Sequence, residues 1–301
     1  MTIGVFITNY KAWSVTQETV QAVIDLHPNP EEIQQILVLD DASDAPATWR
    51  GNNGLVQIHQ NSQNLGYVKS VNAGMRHMQT DLVVVLDCDA KPLSAFAEIV
   101  RTSFAEQSDL GAIGFMQTDE SKKLRPSGEL TPTLLEFIIG PSLFYRIPER
   151  IRNLFLPVGR SMCIHSCCMA IRKKAFDNVG GFDESFDFLD GDMDFSWSLL
   201  EKSWKNSICD KILCYHPGGG SPQTTHRRVL RQHRNRWKLL YKHGGIRFPL
   251  VCKLMLGVRH LLETMMLIIL YFITYQKKIK TKLQTRVSLL KSFWRNYETV
   301  I

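Results

Sequence analysis

Between Asp210 and Glu263 the chain has no acidic residue. Residues 211–301 carry 18 Lys/Arg against 2 Asp/Glu, whereas residues 1–210 carry 18 against 27. A split of that size implies an anionic partner for the last third, such as a membrane surface or a phosphorylated ligand. No recognised nucleic-acid module accompanies those basic residues, so nucleic acid is set aside as the partner. Cysteine is sparse: seven residues, an odd number, scattered along the chain. That argues against a disulfide framework. With no secretory leader ahead of the apolar run that opens at Ile3, it points to free thiols in a reducing cytoplasm. Cys163, His165 and Cys167 alternate, but no second ligand pair stands at a zinc spacing, so packed thiols are expected there. An uninterrupted membrane span is also missing. Lys253, Arg259 and Glu263 break the apolar stretch Leu250–Tyr275. Its longest uncharged run, Thr264–Gln276, would reach only about 20 Å as a helix, against a hydrocarbon core of ~30 Å.

What is present is enough for a full core. The 301 residues are 44% hydrophobic and 22% charged, as in a soluble globular protein. Strand and helix signals alternate: strands at 3–7, 35–39, 55–59 and 82–86, helices at 15–26 and 67–77, a helix with Pro92 at its first turn, and a short strand at 111–115. Unbroken apolar strands alternating with helices predict an α/β fold, a mostly parallel sheet flanked by helices. An apolar stretch at 167–171, a loop at 179–184, a helix starting near Asp192 and a strand at 208–214 follow. A glycine-rich stretch from His216 to Ser221 then gives way to a basic helical extension. The expected domains are residues 1–245 and 246–301.

The most informative residues are Asp87-Cys88-Asp89, directly after Leu82-Val83-Val84-Val85-Leu86. Two carboxylates one residue apart, at the carboxyl end of a buried strand, stand where open α/β sheets bind ligands. No base nearby in the sequence neutralises them. A divalent cation with oxygen ligands would do so, and would in turn grip a diphosphate. Three further strand-end signals converge on the same crevice: Thr8-Asn9-Tyr10, Asp40-Asp41-Ala42-Ser43, and Asn64-Leu65-Gly66 opening a helix that contains Asn72.

This ordered set, together with Gly74, Gly180-Gly181-Phe182-Asp183-Glu184 and Asp192-Met193-Asp194, resembles the family-2 glycosyltransferases over roughly residues 3–245. Within them it looks most like the rhamnosyltransferase-like enzymes of bacterial surface polysaccharides. The resemblance implies the nucleotide-diphospho-sugar transferase fold called GT-A, Mg²⁺ or Mn²⁺ as cofactor, a nucleotide-sugar donor, and a saccharide or lipid-linked acceptor. It implies that Thr8, Asn9 and Tyr10 line the base pocket, Asp40 contacts the base, and Asn64 and Gly66 belong to the donor site. Lys69, in the helix-opening loop, would reach the diphosphate. Asp87 would face ribose or metal, Asp89 would ligate the metal, and His216 would complete the metal site. Asp192 would be the general base of an inverting transfer. The family pattern is Glu-Asp-x-Asp, and here Gly191 replaces the glutamate, which leaves Asp190 as a competing assignment.

Arg234-Asn235 matches a pair common in the resembled subgroup, while Gln232 and Trp237 have the wrong spacing for a processive synthase. Lys277, Lys278, Lys280, Lys282 and Arg286 follow the apolar stretch at once. This suits an interfacial helix on an anionic membrane, and so a peripheral enzyme on the cytoplasmic face. A helical hairpin packed on protein, including a homo-oligomer, is the alternative. The rival functions are a sugar-phosphate nucleotidyltransferase, whose glycine-rich basic loop is missing after the first strand, and a non-catalytic transferase-like binding module.

Overall fold

A computed structural model describes residues 1–45, 47–49, 51, 54–157, 160–187, 189–217, 225–293 and 297, without the side chain of Thr225. In chain order the elements are β1 (Ile3–Asn9), α1 (Trp13–Leu26), β2 (Gln35–Asp40), β3 (Val56–Gln60), α2 (Tyr67–His77), β4 (Leu82–Leu86), β5 (Lys91–Pro92), α3 (Ala97–Glu106), β6 (Leu110–Thr118), β7 (Arg125–Pro126) and β8 (Gly128–Leu130). The short helices α4 (Leu134–Ile139), α5 (Pro141–Phe144) and α6 (Glu149–Arg152) come next. They are followed by β9 (Met162–Ile164), β10 (Cys168–Arg172), α7 (Lys173–Val179), α8 (Gly191–Glu201) and β11 (Lys205–Tyr215). Helices α9 (Thr225–Lys242), α10 (Pro249–Thr274) and α11 (Lys277–Lys291) close the chain. The glycine-rich stretch expected after His216 lies outside the described residues from Gly218 onward.

Contacts divide the chain into two compact units, Met1–Thr131 with Ser161–Gly220, and Pro132–Arg160 with Ser221–Ile301. The division therefore does not follow the expected boundary at residue 245. Residues 132–160 leave the first unit because α4 packs on α10, where Arg259 donates to the carbonyl of Phe137 at 2.7 Å.

In the first unit the main sheet runs β3-β2-β1-β4-β10-β6-β11-β5, with β7 paired to β6. β3, β2, β1 and β4 are mutually parallel, as are β6 and β11. Between them β10 runs antiparallel to both β4 and β6. Alternation sorts each strand between two covered faces. Ile3, Val5, Ile7, Ile36, Val38, Leu82, Val84 and Leu86 enter one core, while Phe6, Leu37, Leu39, Val83 and Val85 enter the other. Gly74 lets α2 approach the sheet, since a Cβ there would meet the Phe6 ring at 2.0 Å. Pro92 is not in a helix but pairs with Cys214 in β5, at the sheet edge, where a missing N–H costs no ladder bond.

Helix α3 instead begins at Ala97, and its start is served from a distance. Nε2 of His27 accepts the backbone N–H of Phe96 (3.0 Å) and of Ala97 (3.2 Å), while Nδ1 lies 2.9 Å from the carbonyl of Val23. The neutral ring thus does the work of an N-cap side chain.

The second unit packs α9, α10, α11 and α4 around a polar centre. The Tyr297 hydroxyl lies 2.7 Å from Nε2 of His260 and 3.0 Å from Nδ1 of His233. Glu263 accepts a hydrogen bond from Arg259 at 2.9 Å and pairs ionically with Arg286 at 2.8 Å. Burial alone would raise Glu263, but His260 and the two guanidinium groups outweigh it and hold the carboxyl at about 2.

Burial holds His27 below the ordinary histidine value of 6.5. Its contribution to stability is therefore full above that value and declines as pH falls through it, because the unfolded chain takes the proton first. His27→Ala should cost about 1–3 kcal/mol by leaving two buried donors unpaired. Denaturant titrations should show the gap between variant and wild type narrowing from about pH 7.5 to about pH 5.

Candidate active site

Parallel pairing of β1 with β2 and β4 brings Asn9, Asp40 and Leu86 to the same end of the sheet, and Asp87 follows Leu86. The chain turns sharply there: Ala90 N–H donates to the Asp87 carbonyl at 3.0 Å, and Thr19 Oγ1 donates to the Cys88 carbonyl at 2.7 Å. Asp87 and Asp89 are thereby pointed at the end of β11, where the next residue is His216. Nε2 of His216 lies 3.5 Å from Asp89 Oδ1 and 3.9 Å from Asp87 Oδ2. Gln117 Oε1, 3.2 Å from Nδ1, accepts a hydrogen bond from that nitrogen and orients Nε2 toward the carboxylates, in the manner of an outer-shell partner.

The turn at 165–167 joins this group to the next. Asp87 N–H donates to the Cys167 carbonyl at 2.9 Å, and Ser166 N–H donates to Asp192 Oδ2 at 3.2 Å. Tyr67, half-buried, feels the charge of both Asp87 and Asp192. Burial, aided by Asp89 and Asp192 and opposed by His216, pushes Asp87 up to about 6. Burial likewise raises Asp192, against the pull of His165 and the Ser166 N–H. For His216 burial works the other way, but Cys167, Asp87 and Asp89 outweigh it and lift the imidazole to about 9.

The donor residues named by resemblance fall into two kinds. Asn9, Asp40 and Asp41 are buried. Asp40 has no exposed surface, and its carboxylate accepts from Asn9 Nδ2 (2.5 Å), Ser43 Oγ (2.6 Å), Ser43 N–H (3.0 Å) and Gln60 Nε2 (3.1 Å). It is saturated, which suits an organiser of the loop more than a direct partner of a base. Asp41 plays the same part for the next loop, accepting the N–H groups of Leu65 (2.8 Å) and Gly66 (2.9 Å). Tyr10 is 46% exposed at the mouth, Thr8 is half-buried, and Asn64 is exposed. Lys69 lies in the first turn of α2, not in the preceding loop, and is exposed.

Asn72 pins the 181–184 loop. Its Oδ1 accepts Phe182 N–H at 2.9 Å, and its Nδ2 donates to the Phe182 carbonyl at 2.8 Å and to Glu184 at 3.1 Å. Asp190 is the left-handed N-cap of α8 (φ 61°), and Asp194 is buried in the first turn rather than facing solvent. Cys163, His165 and Cys167 form no three-ligand group among the described residues. The three-ligand group found there is Asp87, Asp89 and His216. Gln117 and Tyr67 had no assigned role in the sequence reading, and nothing local marks Gln117, which acts across strands.

These strand-end loops coincide with a family signature. The family model described as Glycosyl transferase family 2 matches residues 4–180. The chain belongs to that family. Its fold is the GT-A fold. Among curated relatives it is 25% identical over 171 residues to the N-acetylglucosaminyl-diphospho-decaprenol L-rhamnosyltransferase of Mycobacterium tuberculosis (50% of this chain, 54% of the relative). It is 23% identical over 228 residues to the chondroitin synthase of Pasteurella multocida (63% and 22%). It thus spans about half or less of these relatives. Among solved structures, the mannosyltransferase PcManGT from Pyrobaculum calidifontis, in complex with GDP-Man and Mn²⁺, aligns at TM-score 0.56 and 13% identity over 98% of this chain and 86% of that one. S. aureus TarS 1-349 with UDP-GlcNAc aligns at 0.54 and 13% (85% and 71%).

The site fits a divalent ion. Asp87 Oδ1 is buried and has no hydrogen-bond partner, and two carboxylates with one imidazole suit Mg²⁺ or, better, Mn²⁺. For the supporting loop, Asn72→Ala should lower stability by about 1–3 kcal/mol through the loss of a bidentate backbone clamp. Calorimetric melting of wild type and variant would read it.

Proposed function

We propose that this protein is a glycosyltransferase that moves a sugar, with inversion, from a nucleotide-sugar donor to a hydroxyl of a saccharide or lipid-linked acceptor in surface polysaccharide synthesis, at the cytoplasmic face of a membrane. The observation that carries the reading is the convergence of Asp87, Asp89 and His216 with Asp192 through the 166–167 turn. The rhamnosyltransferase relative, whose name specifies a diphospho-decaprenol acceptor, supports a lipid-linked acceptor here. The GDP-Man and UDP-GlcNAc in the structural neighbours support a nucleotide-sugar donor.

Asp87, Asp89 and His216 would hold Mg²⁺ or Mn²⁺, which supplies Lewis-acid neutralisation of a leaving diphosphate. Thr8 to Tyr10 would form the base pocket, with Asp40 holding Asn9 in place through their hydrogen bond. Asn64, Gly66 and Lys69 would border the diphosphate side. Asp192 is oriented by the N–H groups of Ser166 and Met193, and burial makes it a stronger base than a solvated carboxylate. It would take the proton of the attacking hydroxyl. Asp190, the N-cap residue of α8, is the competing base.

General-base assistance contributes roughly 10²–10⁴-fold. Asp192→Asn should therefore lower kcat by about that factor, with the affinity for UDP, dTDP or GDP, read by thermal shift, unchanged. Turnover close to wild type in a nucleotide-sugar panel with Mn²⁺ would refute the base assignment.

A further inference from the structure

Helix α10 is amphipathic in the reverse of the usual sense. Its covered side holds Cys252, His260 and Thr264 beside leucines, and the charges that interrupt the run in sequence lie there too. Lys253 sits over the Trp237 ring at 5.7 Å, while Arg259 and Glu263 are bonded to each other. Every exposed residue from Leu250 to Ile273 is apolar. Leu250 is 75% exposed, Leu254 69%, Val258 50%, Leu262 60%, Met266 54%, Ile269 59% and Ile273 70%. Their spacing of three or four residues makes one continuous stripe about 35 Å long. A helix facing water carries the opposite arrangement, and a stripe of this extent marks an interaction surface.

By length and composition α10 qualifies to cross a membrane, contrary to the expectation that it falls short. Its neighbour argues against crossing. Helix α11 returns along α10 and is tied to it by the Arg286–Glu263 pair at 2.8 Å. Lys277, Lys278, Lys280 and Lys282 are exposed on α11. Crossing would carry the later part of α11, with Arg286 and Lys291, back into hydrocarbon, whereas lying flat leaves its lysines at headgroup level.

We propose that the outer stripe of α10 embeds in the interfacial layer of an anionic bilayer, with Lys277, Lys278, Lys280 and Lys282 bound to lipid phosphates. The occupant is a lipid surface because the exposed charge bordering the stripe has one sign, and within residues 211–301 only Glu263, paired inside, and Glu298 are acidic. This surface rests on the membrane location proposed above and is independent of the transfer chemistry.

The test is flotation of the full chain with phosphatidylcholine vesicles containing or lacking phosphatidylglycerol. Binding should require the anionic lipid. Lys277→Gln with Lys278→Gln should weaken it about fivefold per lysine, and Leu262→Asp with Ile269→Asp should abolish it. Both pairs are exposed, so melting temperature and nucleotide binding should not change. Binding by the Leu262→Asp/Ile269→Asp variant at wild-type strength overturns the proposal. So does absence of wild-type binding, including the case of a stable dimer that the same variant dissociates. Donor turnover measured on each sample separates the two readings: an active protein that does not float sinks the docking surface alone, and a floating protein with no turnover sinks the transferase reading alone.

Discussion

Like charges crowded at the end of β4 are the constraint around which the first unit is built. Asp87 and Asp89 share one turn that the 166–167 turn links to Asp192; burial penalises the charge of Asp87 and of Asp192, and a fold leaves carboxylates in such a place only if something compensates. The compensation visible in the chain is specific. His216, steadied by Gln117, faces Asp87 and Asp89, and two backbone N–H groups face Asp192. Asp87 Oδ1 is still left without a hydrogen-bond partner, which suits a group that would meet a cation. The proposed chemistry is a direct consequence of that imbalance.

The sheet order determines how the acids meet. Were β10 parallel to β4, the turn before it would lie at the opposite end of the sheet. Antiparallel insertion brings residues 165–167 to the carboxyl end of β4, so that one short turn bonds to Asp87 on one side and Asp192 on the other. Asp40 and Asp41 then build the neighbouring wall by consuming their own lone pairs on the loops at 43 and 65–66. Saturated carboxylates such as Asp40 and Asp41 thus serve architecture, while the proposed chemistry falls to Asp87, Asp89 and Asp192.

Much of this was legible in the sequence because it is local. An unbroken apolar strand followed by Asp87-Cys88-Asp89 announces its own position, and the helix signals at 67–77 and near Asp192 sit at α2 and α8. What escaped is non-local. Pro92 reads as a helix start until its pairing with Cys214 is seen, and Gln117 reaches His216 across 99 residues. Asp40 reads as a free acid until four donors are found around it. The facing of α10 escapes for a related reason. Counted along the chain, Lys253, Arg259 and Glu263 break a hydrophobic run, but on a helix they share the side turned toward Trp237, Phe137 and Arg286, and the other side is continuous.

Electron paramagnetic resonance titration of Mn²⁺ into the full chain probes the crowded carboxylates most directly. One bound ion per chain should be seen, and Asp89→Asn or His216→Ala should each weaken it by more than the roughly 10–100-fold that loss of an outer-shell partner costs. Asp183→Asn, at a half-buried loop acid outside this group, should have no effect. Equal Mn²⁺ affinity in wild type and both site variants would mean that Asp87, Asp89 and His216 do not hold a metal, and the chemistry built on them would fall.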